Sequence, residues 1–317
     1  SLPKPLEEFD RDWQSWLRRR YFSGYAERDD VLTISRGLLR GEGFRAGAAW
    51  LRRDTLVYLS DEDGRPSLCA VKVNESGALG RREVLLRGGR SRDLTSIRVY
   101  MERPACTGGN LIALAGRAGP RDRLYIYDFS LRRVVESYEF EDLPVIGTPC
   151  FSPDGGEIVF RGISRQGRAD LYVVNRQTRA RRQLTDDLYD DAYPCWTNEG
   201  IVFSSNRLGE ISCPHYNLFL LSKDGGTPQS LTNGPWQDLY PLSDGNGNIL
   251  FISDRDGMFD PYQWNGDGVR RLSRTLTGVI EIAPRPDGAA GETAVVALQR
   301  GEYTVAIANF YTAGELL

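Results

Sequence analysis

One short run of β-forming residues recurs along this chain, and its period constrains the fold more than any other feature. "LVYLS" occupies 56–60, "LIALA" 111–115, "IVFRG" 158–162, "IVFSS" 201–205, "ILFIS" 249–253 and "AVVAL" 294–298. The successive offsets are 55, 47, 43, 48 and 45 residues, the range in which radial and linear repeat folds are found. A second apolar run follows each copy: "SLCAVKV" from 67, "RLYIYDF" from 123, "DLYVVNR" from 170, "NLFLLSK" from 217, "DPYQWNG" from 260 and "YTVAIAN" from 303. Most copies add a more polar run, as in "RRQLTD" from 181, "PQSLTN" from 228 and "RRLSR" from 270. Ahead of the central run stands a fourth, ordered Pro, small residue, aromatic, in "PCFSPDG" from 149 and "PCWTNEG" from 194.

Four short strands per unit, separated by Gly, Pro, Asp and Asn turns and lacking a 3.6-residue period, describe a propeller blade. The expected fold is therefore all-β: a six-bladed β-propeller of four-stranded antiparallel blades. In "SPDGG" the proline presets φ and glycine accepts φ above zero, so this run reads as the turn between the innermost and second strands. A ring must also close. Too little chain follows the sixth copy to supply its outer strand, whereas "LLRG" at 38–41 repeats "LLRG" at 85–88, an outer-strand position. Residues 31–41 are accordingly expected to complete the last blade from the N-terminal side, giving a propeller over 31–317, and closure of this kind protects sheet edges.

Residues 1–24 differ in kind. "LEEFDRDWQSWLRRRY" places Leu6, Phe9, Trp13, Trp16 and Leu17 at helical spacing, with acids early and Arg18, Arg19 and Arg20 late, which predicts an amphipathic helix of about four turns followed by a linker. Its aromatic stripe is expected to cover part of the propeller or a neighbouring domain.

Composition excludes several functions. Lys plus Arg is 40 against 43 for Asp plus Glu, so no polybasic surface is available for nucleic acid. No apolar window is long enough to span a bilayer. A single histidine, His215, removes most metal sites and hydrolase triads, and no G-x-S-x-G turn or phosphate-binding loop is present. His215 reads as a turn residue, with Cys213 two positions away. The five cysteines, Cys69, Cys106, Cys150, Cys195 and Cys213, form no C-x-x-C pair. Cys150 and Cys195 hold the same inner-strand place in adjacent units and read as buried free thiols, while Trp50, Phe151 and Trp196 read as packing between blades. The acids of "SDRDGMFD", Asp254, Asp256 and Asp260, lack the spacing of a calcium loop and read as turn chemistry.

Aligning the units on Pro149, Pro194, Pro241 and Pro284 brings an acid three residues earlier in three of them: Asp191, Asp238 and Glu281, with Ile146 breaking the series. These carboxylates are expected near one mouth of the central channel. There they could bind a cation such as calcium or a basic peptide end; the alternative is that they cap turns or pair with arginines. No resident cofactor is expected.

The run "PCFSPDGGEIVFRGISRQGRADLYVVNRQTRARRQLTDDLYDDAYPCW", 149–196, resembles the TolB-like propeller repeat, Pro-x-Trp-Ser-Pro-Asp-Gly, apolar strand, Ser-Asp-Arg-x-Gly, Asp-Ile-Tyr, then Leu-Thr. "IVFSSNRLGE" and "ILFISDRDGMFD" repeat the likeness, while the second and sixth copies depart from it. "LEEFDRDWQSWLRRRYF" is similar to the closing helix of gluzincin-type metallopeptidase domains, which some bacterial envelope proteins join to such a propeller. The resemblance implies a non-catalytic module that binds a protein or peptide, in a cell-envelope protein (periplasmic, outer-membrane associated or secreted) with a peptidase-like domain upstream contacting the N-terminal helix. Two alternatives are a propeller enzyme of oligogalacturonate-lyase type, whose metal site needs several histidines, and the gating propeller of a prolyl-oligopeptidase-like hydrolase.

Overall fold

In a computed structural model, which describes residues 5–26, 28–39, 43–89, 93–209, 214–286, 292–299 and 301–310, the repeats form six antiparallel sheets. Each of the six recurring runs lies in the second strand of its own blade: Thr55–Ser60, Leu111–Ala118, Glu157–Ile163, Ile201–Ser205, Ile249–Ser253 and Glu292–Gln299. Blade 3 shows the plan, with Val145–Phe151 innermost, then Glu157–Ile163, Ala169–Asn175 and Arg181–Gln183. The Ser-Pro-Asp-Gly run makes the first hairpin turn, as its composition requires. Gly155 adopts φ 71° and donates to the Ser152 carbonyl at 2.8 Å, while the Asp154 carboxylate accepts from the Ser152 hydroxyl at 2.6 Å and the Gly156 N–H at 3.0 Å.

Blade 2, the unit whose sequence departs from the pattern, has a divided inner strand: Ser96–Ile97 and Ala105–Cys106 both pair with Leu111–Ala118. Blade 6 is built from both ends of the chain. Ser35–Leu38 pairs antiparallel with Glu302–Asn309, outside Glu292–Gln299 and Val279–Pro284. The closing strand is shorter than the 31–41 expected. Val31–Ile34 forms a helical turn, and 40–41 lie outside the described residues. Arg28 and Asp29 pin this entry. The Arg28 guanidinium donates to Asp260 at 3.0 Å, and Asp29 exchanges backbone hydrogen bonds with Arg274 and Leu276.

The core lies between blades, where sheet faces meet. Phe160, Phe203 and Phe251 occupy matching second-strand positions and are fully buried, each worth about 1.5–3 kcal/mol of apolar burial. At the seam between blades 6 and 1, Trp50 donates its indole N–H to the Ala283 carbonyl at 2.9 Å and the Arg285 guanidinium lies over its ring. Phe151 packs among the blade 2 and 3 residues and Trp196 against the blade 3 and 4 residues, between sheets as expected.

The N-terminal helix is longer than expected, Leu6–Ala26, because no breaker interrupts the run after Leu17 and Gly24 is tolerated near its end. Arg18–Arg20 therefore stand mid-helix. Trp13 and Trp16 stack at 5.2 Å between centroids, and Phe9, Trp13 and Trp16 are each about half exposed.

Candidate functional site at the axial channel

Strand register decides which side chains reach the axis. In blades 3, 4 and 5 the inner strand carries a bulge immediately before its proline, and the bulged residue takes a left-handed conformation: Thr148 (φ 44°), Tyr193 (φ 53°) and Tyr240 (φ 54°). Left-handed non-glycine residues are uncommon, and a following proline restricts the backbone further, so the ring packing must hold these bends in place. Blade 1 puts Gly47 here (φ 63°), where an added Cβ would lie 2.6 Å from the Glu102 carbonyl oxygen. In blade 2, Arg103 precedes Pro104 at the equivalent place.

The Pro284 alignment is two residues out of register. The bond that closes the first hairpin runs from Ser152 to Glu157 in blade 3, from Thr197 to Gly200 in blade 4, and from Arg285 to Glu292 in blade 6. Pro284 thus matches Phe151 and Trp196, and Glu281 matches Thr148, Tyr193 and Tyr240. The axial ring, one residue per blade, is Gly47, Arg103, Thr148, Tyr193, Tyr240 and Glu281.

This register separates the three expected acids. Asp191 and Asp238 start their inner strands, opposite Ser205 and Ser253, and are fully buried. Arg207 grips Asp191 at 2.8 and 3.0 Å, and Arg255 grips Asp238 at 2.8 Å; each arginine also stacks on rings of its own blade, Phe203 and Phe219, or Phe251 and Tyr262. The arginine-pairing alternative thus describes these two, and the three carboxylates do not gather at one mouth. Asp170, Asp187 and Asp191 do bring carboxylate oxygens within 4.8 Å of one another, but Arg207 already bridges Asp187 at 3.2 Å and Asp191 at 2.8 Å, so this cluster contains its own cation. Burial still pushes the Asp170 carboxyl up to about 6.

Glu281 alone of the three reaches the axis. Its Oε2 accepts the Gly47 N–H at 2.7 Å, and burial pushes the carboxyl up to about 7 against the opposing pull of Arg103 and of the Gly47 and Ala48 N–H groups. Glu102 also faces the channel. It accepts the Thr148 N–H at 2.6 Å, and burial pushes it up to about 8 despite Thr148, Arg98 and Arg161. Tyr193 and Tyr240 pack at 4.1 Å between centroids. Arg103 crosses the bore: its Nη2 donates to the Pro241 carbonyl of blade 5, on the far side, at 3.3 Å, while its Nη1 is buried and makes no hydrogen bond.

Beside Arg103, on the side where the inner strands end, lies a cavity of about 180 Å³. Trp50, Cys106, Cys150, Ser243 and Pro284 form its wall. Wider clefts occur between blades at the rim, one of about 840 Å³ along Val84–Arg87 and Tyr125; the axial cavity differs from that one in combining an aromatic wall with an arginine N–H left without an acceptor.

The remaining candidates have structural surroundings. Asp254 accepts the Gln237 N–H at 2.8 Å, Asp256 accepts from Arg271 at 2.7 Å, and Asp260 holds the Thr275 N–H and hydroxyl at 2.8 and 2.9 Å. His215 is half-buried in the turn before Asn217–Leu221, and Cys213 lies outside the described residues. Sequence reasoning missed Arg103 and Glu102. Pro104 was the available signal, but blade 2 departs from the repeat around it.

The class defined by this ring is the six-bladed β-propeller, here of TolB-like type in fold. No protein-family model matches the chain. A 75-residue stretch is 36% identical to the Tol-Pal system protein TolB of Gluconobacter oxydans, covering 24% of this chain and 16% of that protein. The structure is similar to TolB from Acinetobacter baumannii (TM-score 0.57, 19% identity, 83% of this chain and 65% of that one). It is also similar to the β-propeller domain of the Trilobed protease from Pyrococcus furiosus (TM-score 0.53, 12% identity, 84% of this chain and 80% of that domain). The chain thus spans less than two thirds of the length of these TolB relatives.

Proposed function

We propose that this propeller is a non-catalytic recognition module of a bacterial cell-envelope protein, binding a protein or peptide segment at the axial cavity. The observation that carries this reading is the cavity beside Arg103, where a buried N–H without an acceptor faces an aromatic and proline wall; a peptide carboxylate or carbonyl would satisfy it. The envelope setting rests on the likeness to a Tol-Pal system protein. No helix among the described residues is long and apolar enough to cross a membrane. An upstream peptidase-like domain would give the exposed Trp13 and Trp16 a surface to cover, and the coding sequence before Ser1 tests that part.

An array of peptides with free termini, probed with the whole chain, tests the reading. Arg103→Met and Trp50→Ala are expected to weaken the selected peptide at least tenfold, with the native circular dichroism kept. Unchanged binding in Arg103→Met, or cleavage of the peptides by this chain alone, would refute it. The gating-propeller alternative draws on the likeness to puromycin hydrolase (TM-score 0.56, 13% identity), and a hydrolase encoded downstream would favour it.

A further inference from the structure

We propose that Cys150 and Cys195 form a redox-responsive pair, able to close a disulfide across the seam between blades 3 and 4. The two residues hold the same place in neighbouring inner strands, so the ring brings them side by side although 45 positions separate them in sequence. The Cys150 sulfur accepts the Trp196 N–H at 3.3 Å, and the Cys195 thiol donates to the Trp196 carbonyl at 3.6 Å, so both sulfurs lie against the backbone of the same residue. Cys195 in turn accepts the Ser243 N–H of blade 5 at 3.3 Å. Both thiols are free in this structure.

Their surroundings give them different roles. Cys150 lines the axial cavity, beside the positive charge of Arg103, whereas Cys195 is buried and is not part of its wall. The neighbouring Cys195 thiol, the Trp196 N–H and the nearby guanidinium lower the Cys150 thiol, whereas the adjacent Cys150 sulfur and burial raise that of Cys195. Thiolate character and access fall on one sulfur. Cys69 and Cys106, by contrast, are pushed up chiefly by burial.

The chemistry is exchange with a small disulfide. The Cys150 thiolate attacks one sulfur of the small molecule, forming a mixed disulfide and releasing one thiol that takes up the proton Cys150 has lost. Cys195 then attacks the Cys150 sulfur, expels the second thiol and passes its own proton to it. Two hydrogens and two electrons move to the small disulfide, which leaves as two thiols.

Native protein incubated with 2-hydroxyethyl disulfide, then denatured, alkylated and digested without reduction, reads the outcome. Three alkylated cysteines out of the five in the chain are expected, with one cross-linked peptide pair containing Cys150 and Cys195. Cys195→Ala is expected to trap a stable adduct on Cys150, and Cys150→Ala to leave Cys195 unmodified over the same time. Five alkylated cysteines, a bridge between other positions, or an adduct on Cys195 in Cys150→Ala would overturn the proposal. If either variant fails to fold, the wild-type peptide map decides alone.

Discussion

Replacing Glu281 by glutamine should stabilise this protein at alkaline pH and leave it unchanged in acid. The carboxylate is buried on the axis with only the Gly47 and Ala48 N–H groups and the charge of Arg103 to offset its lost hydration, and its folded value lies near 7 against an ordinary 4.5. An unfolded chain releases this proton at about 4.5, whereas the folded chain keeps it to about 7. Across that window the native state binds more protons than the unfolded one, so stability falls as pH rises and stays at the lower level above it. The gap from 4.5 to about 7, at about 1.36 kcal/mol per pH unit, amounts to about 3 kcal/mol. Glutamine keeps an acceptor for the Gly47 N–H and cannot ionise. Below pH 4.5 the two proteins should melt together; at pH 8 Glu281→Gln should melt higher by about 5 °C, given the unfolding entropy of a chain this size. Glu102 and Asp170 titrate in both proteins and drop out of the difference. Thermal melts of the pair from pH 4 to 8.5 provide the measurement. Parallel curves, or a lower melting point for the glutamine variant at pH 8, would refute the claim that burial outweighs Arg103 at this position.

Arg207→Ala should cost about 3–5 kcal/mol in denaturant unfolding, because Asp191 would stay fully buried beside Asp170 and Asp187 without its cation. Deleting residues 1–38 should lower the melting point and produce oligomers in size-exclusion chromatography, since it bares the edge of Glu302–Asn309. Deleting only 1–26 keeps both the closing strand and the Arg28–Asp260 pair, so the melting point should stay within about 2 °C of the parent.

The fold was legible because a propeller repeats its local chemistry. The alternation of apolar strands with Asp-Gly and Asn turns fixes each hairpin before any long-range contact, and six copies make the pattern hard to mistake. The shared "LLRG" likewise marked an outer strand, although Ser35–Leu38 covers only part of the expected span. The axial site was less legible because it depends on bulges. Nothing in "TPCF", "YPCW" or "YPLS" announces that the residue before proline turns left-handed and aims at the axis. In blade 6 the proline stands at the aromatic place, Pro284 where Phe151 and Trp196 are, and Ile282 takes the usual proline position, so a proline alignment slides by two residues. That slip moved Glu281 from a strand-start position to the ring, changing both its neighbours and its titration.

The strand-start position also shows why counting carboxylates misleads in such a repeat. In blades 4 and 5 an acid opens the inner strand, opposite a serine, and the arginine two residues past that serine neutralises it: Asp191, Ser205 and Arg207, then Asp238, Ser253 and Arg255. Blade 1 has the same geometry with the charges exchanged. Arg45 opens its inner strand opposite Ser60, and Glu62, two residues further, grips it. Blade 3 fills the place with Ile146 opposite Gly162, so no charge is needed there; where a charged group does open the strand it is bonded across the first hairpin, and either sign serves at either end. A lone charge does not, because each strand-start group is almost wholly removed from water. Glu62→Ala, like Arg207→Ala, should also destabilise, because it removes the carboxylate that grips the buried Arg45 and a partner of Arg82. A cost below about 1 kcal/mol in either variant, the level of an exposed pair, would show that water reaches these positions and that the strand-start acids are open to ligands after all.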